Sequence, residues 1–307
     1  MLPRIELAAG RTRSWLATLL ETRVPLSLAS HFDLIGLADL CTSSSDDDVS
    51  FEFFRSACLN LAQLLDSQSP ANAFKALLGT DARRVLLAYR AFLRGEMRCH
   101  CLEDFIGGLA SSLAQADPKQ TDVAEASHLC RISGLLAADL VEEGDALELP
   151  PVIELLSADE PTIQRIIDDV ARACHFGLDR SGIHSGAREI LLAVIPAWIL
   201  DFARNYRLAS LASALRILVY VGGIEPEVTE DAVRFLLDQQ NPSGWFGFFG
   251  PELARIRNKG RPFDANSELY LPTTLACHWA LIESASQYRF LAPRTGPSDR
   301  LANEACL

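Results

Sequence analysis

Three Cys-His dipeptides, Cys99-His100, Cys174-His175 and Cys277-His278, stand out in a chain of 307 residues that holds eight cysteines and six histidines. Thiolate and imidazole are zinc ligands and, without metal, a nucleophile and its base. Adjacent residues of a helix point about 100° apart, so both members of a dipeptide reach one ion only where the backbone bends. Cys277-His278 falls inside a helical pattern. It reads either as a core thiol beside a hydrogen-bonded imidazole or, alternatively, as a zinc pair. A second constellation runs from Cys174 to His184 and packs His175, Asp179, Arg180 and His184 into a glycine-punctuated loop. His175 and Asp179 are four apart and meet if the helix continues one turn, where the acid would orient the imidazole for general acid–base work. Otherwise His175 complements a helix C-terminus and Asp179-Arg180 closes the turn.

The third constellation is aromatic. Trp245, Phe246, Phe248, Phe249, Tyr270 and Trp279 could line an apolar cavity whose few polar groups are Asp264, Glu268, Cys277 and His278, with Glu268 and Thr273 at its rim. Core packing would use the same rings equally well. Asp46, Asp47 and Asp48 are the residue type that chelates a magnesium-bound diphosphate, but Ser50 stands where such a site needs a further acid. A solvated helix cap explains them. No Gly-x-Gly-x-x-Gly, phosphate-loop, His-Glu-x-x-His or Gly-x-Ser-x-Gly motif is present.

These residues must be positioned by helices. Apolar positions recur at helical spacing over 5–21, 32–40, 51–66, 71–78, 81–94, 102–115, 123–141, 160–176, a long segment ending near 206, 208–221, 228–238 and a last helix from about Pro272. No segment alternates as a strand does, so the fold class is all-α. The chain reads as one helical domain over 1–307, with a potential subdivision at 142–151, where acids and prolines cluster, and a flexible tail over 293–307. The formal charge of -12 argues against nucleic acid or an anionic membrane as partner. No apolar run is long enough to span a bilayer and no secretory signal is visible, which places the chain in the cytoplasm. The cysteines form no CxxC pair and read as reduced, buried thiols.

The chain is organised around Val228 to Glu283. There an apolar helix ends in Gln239-Gln240, the turn Asn241-Pro242-Ser243-Gly244-Trp245-Phe246-Gly247 follows, and Thr273-Thr274-Leu275-Ala276-Cys277-His278-Trp279 opens a second helix. This arrangement resembles the repeat of α/α-toroid enzymes, the terpene cyclases and protein prenyltransferase β subunits, although Gly244 and Trp245 are adjacent where the cyclase repeat spaces them. The resemblance implies helical hairpins closed into an α/α toroid; a two-layer α-solenoid would hold the same number of helices. Lanthionine cyclases, another toroid family, hold zinc through a Cys-His dipeptide and a separate Cys, and Cys277-His278 matches the dipeptide alone. The Asp-x-Asp-Asp acid of squalene-type cyclases is absent.

The region also resembles bacterial proteins of natural-product biosynthesis. What the resemblance implies is a tailoring protein acting on a modified peptide or an apolar small molecule, or the partner of such a biosynthetic enzyme. As a cyclase of the lyase class it would form a thioether ring by thiol addition. His175, Asp179, His278 and Glu268 would supply acid–base groups and Trp245, Phe246, Phe248, Tyr270, Thr273 and Trp279 the substrate surface. No cofactor is expected, zinc at Cys277 and His278 being the alternative. A terpenoid-type carbocation cyclase and a non-catalytic helical peptide-binding or protein-binding module are the other two readings.

Overall fold

The computed structural model describes residues 1–21, 26–44, 48–80, 82–113, 147–174, 183–222, 226–251, 254 and 269–291. The described residues form twelve helices and no strand, as the periodicity predicts. They are α1 (Leu2–Glu21), α2 (Leu28–Ser44), α3 (Asp48–Asp66), α4 (Pro70–Leu78), α5 (Ala82–Arg94), α6 (His100–Leu113), α7 (Val152–Leu156), α8 (Glu160–Ala173), α9 (Ser185–Arg204), α10 (Leu208–Tyr220), α11 (Pro226–Asp238) and α12 (Leu271–Leu291). Half of the subdivision at 142–151, the whole tail over 293–307 and the helix expected over 123–141 lie outside the described residues.

Local chemistry sets many of the boundaries. Ser69 accepts from the Asn72 amide and Pro70 follows at the first helical position, so α4 starts where its unsatisfied amides find a partner. Asp159 does the same for α8 through Thr162 N at 3.0 Å, and the Thr162 side chain together with that amide holds its carboxyl below the usual range. α5 and α9 both end with a left-handed residue that is not glycine, Glu96 at φ 53° and Tyr206 at φ 54°. Met97 N to Phe92 O and Arg207 N to Phe202 O close these two ends in the same way.

The helices gather around two cores. Residues Ile5 and Ala8 of α1 join α7 to α11 in one, and Ala9, Leu16, Leu19 and Leu20 of α1 join α2 to α6 in the other. α12 supplies both, Cys277, Ala280, Leu281 and Ala285 to the first and Leu271, Leu275 and Ile282 to the second. It packs on α1, α2, α10 and α11 and is buried on every face between Thr274 and Ala285 except at Ala276 and Trp279, which are half-buried. The spacing of Leu275, Trp279 and Ile282 predicts one apolar stripe, and the helix is instead buried almost all round. The first helix packs against the last described one. Leu7, a candidate core position by spacing, is 59% exposed, because Ile5, Ala8, Thr12 and Leu16 define the inward stripe.

Candidate functional site

The aromatic turn is built from both ends of the chain. After α11, Gln240 and Phe246 form an antiparallel bridge, with Asn241 N donating to Trp245 O at 2.8 Å and Gly244 N to Asn241 O at 2.8 Å. Gln240 Nε2 donates to Ala8 O (2.8 Å) and Thr12 Oγ1 (2.9 Å) on α1, and the Thr12 hydroxyl donates to Gly244 O at 2.8 Å. Gly244 has φ +105°, and any Cβ there would collide with the Arg11 carbonyl. The turn thus lies backbone to backbone on α1, which only glycine permits. Phe246 N donates to Thr274 Oγ1 at 3.0 Å, tying the same turn to α12.

This bracing sorts the aromatic residues. Phe246 is fully buried in the first core and has no surface left for a substrate. Gly247, at φ +97°, then turns the chain so that Phe248 points outward and is 83% exposed. Trp245 and Phe249 meet Tyr270 at ring-centroid distances of 4.2 and 5.1 Å. Trp279 lies nine residues along α12 from Tyr270, roughly 13 Å at the helical rise, and belongs to another cluster. Thr273 is half-buried at the start of α12; the hydroxyl that meets the turn is that of Thr274.

Cys277 and His278 face different cores. Cys277 Sγ is directed at Leu208 O (3.8 Å) in the first, while His278 Nε2 meets Cys41 Sγ at 3.7 Å, the latter a residue of the second. As placed, the two donors do not fit one zinc ion. Among the described residues no three His, Cys, Asp or Glu side chains converge as a metal site requires. Burial pushes the Cys277 thiol upward, and burial with the nearby Arg13 charge holds His278 down at about 3, so its imidazole is neutral. Its Nδ1 is buried without a hydrogen-bond partner. His278 is sealed from solvent.

In the second constellation Cys174 is a core residue and His184 caps α9, its Nδ1 accepting from Ala187 N while Nε2–H donates to Leu147 O. His175, Asp179, Glu268 and Asp264 lie outside the described residues.

Sequence reasoning missed a dense polar cluster buried among the described residues. Arg216 of α10 donates from Nε to Glu283 Oε2 of α12 at 3.0 Å and from Nη2 to Tyr220 Oη at 2.6 Å. Tyr220 Oη and Trp279 Nε1 donate to Glu283 Oε1 at 2.7 and 2.9 Å. The guanidinium also lies over the Trp279 ring, 4.2 Å from its centroid, and a Cβ at Gly36 of α2 would stand 2.9 Å from that ring. Trp279 is wedged between the two. Burial opposes the charge on Arg216, but Glu283 and Tyr220 outweigh it and raise its pKa above the ordinary value. Burial drives the Tyr220 phenol well up, so it stays a donor. A signal was present: Arg216 is the only charge in LASLASALRILVY, and Glu283 is the first in LPTTLACHWALIE. A lone ion in an otherwise apolar helix implies a buried partner.

No helix among the described residues is long and apolar enough to cross a membrane. Comparison with protein-family models, with curated proteins and with solved structures finds no match.

Proposed function

We propose that the chain is a helical partner module of natural-product biosynthesis, one that holds a cationic peptide segment or biosynthetic enzyme against its aromatic turn. The observation that carries this is Phe248, 83% exposed on a turn fastened to α1 and α12 by its backbone and by Gln240, Thr12 and Thr274. An exposed aromatic on a rigid support loses little freedom when a partner covers it, which is what an interface anchor requires. Charge points the same way. The chain carries -12, and α11, which leads into the turn, shows Glu227, Glu230, Asp231 and Asp238 against two bases, Arg234, bonded to Glu230 and Asp231, and Arg4 of α1, bonded to Asp238.

The thioether-cyclase reading draws on the same resemblance but asks for a base near the substrate. Of its two candidate bases, His278 is neutral and enclosed, with no open side from which to act, and His175 lies outside the described residues. The binding reading uses only groups that reach solvent.

Fluorescence anisotropy with labelled Lys-rich and Arg-rich peptides carrying one apolar anchor tests it. Saturable binding that Phe248→Ala weakens at least about tenfold, with melting temperature unchanged, is the expected result. Equal affinity of both proteins rejects the turn as the contact surface. Mass spectrometry of the peptide after incubation separates the classes, since any covalent change would establish an enzyme.

A further inference from the structure

We infer that the pocket where α5 ends and α6 begins binds a free aromatic α-amino acid. The peptide-binding reading rests on the turn after α11 and stands or falls apart from this one. The pocket has a volume of about 490 Å³ and is lined by Tyr89, Leu93, Glu96, Met97, Arg98 and Glu103. That volume falls within the range of small-molecule sites. Leu93, Glu96 and Arg98 are exposed, so it opens to solvent. Its charges are of both signs and unspent. Among the described residues no side-chain hydrogen bond or ion pair engages Glu96 or Arg98. Glu103 has His100 Nδ1 as its ion-pair neighbour, at 3.6 Å, too long for a hydrogen bond. Tyr89 feels both signs: burial, then the Glu103 charge, raise its phenol and Arg98 opposes them, so it remains a protonated donor.

Backbone conformation singles out Glu96. It holds φ 53°, in the left-handed region that favours glycine. Tyr206, at the matching position after α9, rests its ring on Phe235. The Glu96 side chain bonds to nothing among the described residues, and its place is the wall of the pocket. Strain kept at a position where a charged side chain lines a cavity points to a ligand. The mixture of charges selects its class. A simple cation would be opposed by Arg98, and a simple anion would meet two carboxylates. A zwitterion satisfies both: Arg98 takes its carboxylate in bidentate fashion, and Glu96 and Glu103 accept from its ammonium. Tyr89, Leu93 and Met97 supply the apolar remainder, and contacts of a ring and a thioether favour an aromatic side chain.

The probe is 4-fluoro-L-phenylalanine, followed by the width of its fluorine resonance in the presence of the intact protein. Saturable broadening is expected. 4-Fluorophenethylamine, which lacks the carboxylate, and 3-(4-fluorophenyl)propionate, which lacks the amine, should each bind about tenfold more weakly, the loss of one charge-assisted pair. Arg98→Gln should weaken the amino acid about tenfold and leave the amine unchanged. Glu96→Gly should weaken both while raising the melting temperature, because it relieves the left-handed backbone. Absence of saturable broadening, either analogue binding as tightly as the amino acid, or unchanged affinity for the amino acid in either variant would overturn the inference. Should a variant fail to fold, the comparison of the three ligands on the unaltered protein decides the matter alone.

Discussion

Removing the Glu283 carboxylate is the sharpest test of how the interior is held together. Glu283→Ala leaves Arg216 charged with its side chain 17% exposed, and strands Tyr220 Oη and Trp279 Nε1, which had donated at 2.7 and 2.9 Å. Breaking a buried ion pair from one side costs about 3–5 kcal/mol, most of it the penalty of the ion left behind. For a chain of this size about 2 °C of melting temperature is lost per kcal/mol, so the variant should melt about 6–10 °C lower. The penalty belongs to the unpaired groups and not to missing attraction, so removing the partners should restore stability. Arg216→Met with Glu283→Leu and Tyr220→Phe leaves only the Trp279 indole N–H without an acceptor. That triple variant is expected within about 2 kcal/mol of the original protein. Differential scanning calorimetry, with urea midpoints as a second measure, gives both numbers. A loss below about 1 kcal/mol for Glu283→Ala, or a triple variant no more stable than the single one, would refute the reasoning.

Three further outcomes follow from the geometry. Gly244→Ala, forced to φ +105° and against the Arg11 carbonyl, should destabilise by about 2–5 kcal/mol and release the turn, seen as loss of peptide binding and a lower urea midpoint. Glu96→Gly removes a left-handed non-glycine residue and should stabilise by about 1 kcal/mol; Tyr206→Gly should gain less, because the Tyr206 ring rests on Phe235 at 5.9 Å. His278 has a pKa of about 3 against an ordinary 6.5, so between those values the unfolded chain binds a proton that the folded one does not. Its contribution is complete above pH 6.5 and falls as pH drops, by about 2 kcal/mol at pH 5, and His278→Gln should flatten that part of the urea-midpoint profile. His31, also lowered by burial, acts in the same direction and leaves a residual slope.

The helices were legible because their apolar period is local. α1 shows it plainly, with Ile5, Ala8, Thr12, Leu16 and Leu19 on one side. α12 resisted, since a helix buried on nearly all sides has no polar face to reveal its orientation. The turn after α11 was readable as a turn, but the fate of its three phenylalanines was not. Which of them enters the core depends on the bridge between Gln240 and Phe246 and on the positive φ of Gly247, and neither is a property of composition. The Arg216 and Glu283 pair spans 67 residues and becomes visible as a pair only when α10 and α12 are side by side. Each was nonetheless conspicuous as an ion among apolar neighbours.

α12 explains how one helix can serve both cores and still carry chemistry. Residues four apart share a face of a helix, and its polar groups fall on two such rows. Thr274 and His278 form one, meeting the aromatic turn through Phe246 N and α2 through Cys41. Trp279 and Glu283 form the other, meeting Arg216 and Tyr220 of α10. Between the rows, small or apolar residues such as Ala280 and Leu281 keep the packing close. An unmatched buried polar atom costs free energy, so the matched groups of each row, Thr274 in one and Trp279 with Glu283 in the other, fix the rotation and height of α12 against a different neighbour more tightly than apolar packing alone would. The turn that exposes Phe248 and the buried Arg216 cluster are therefore referenced to the same helix.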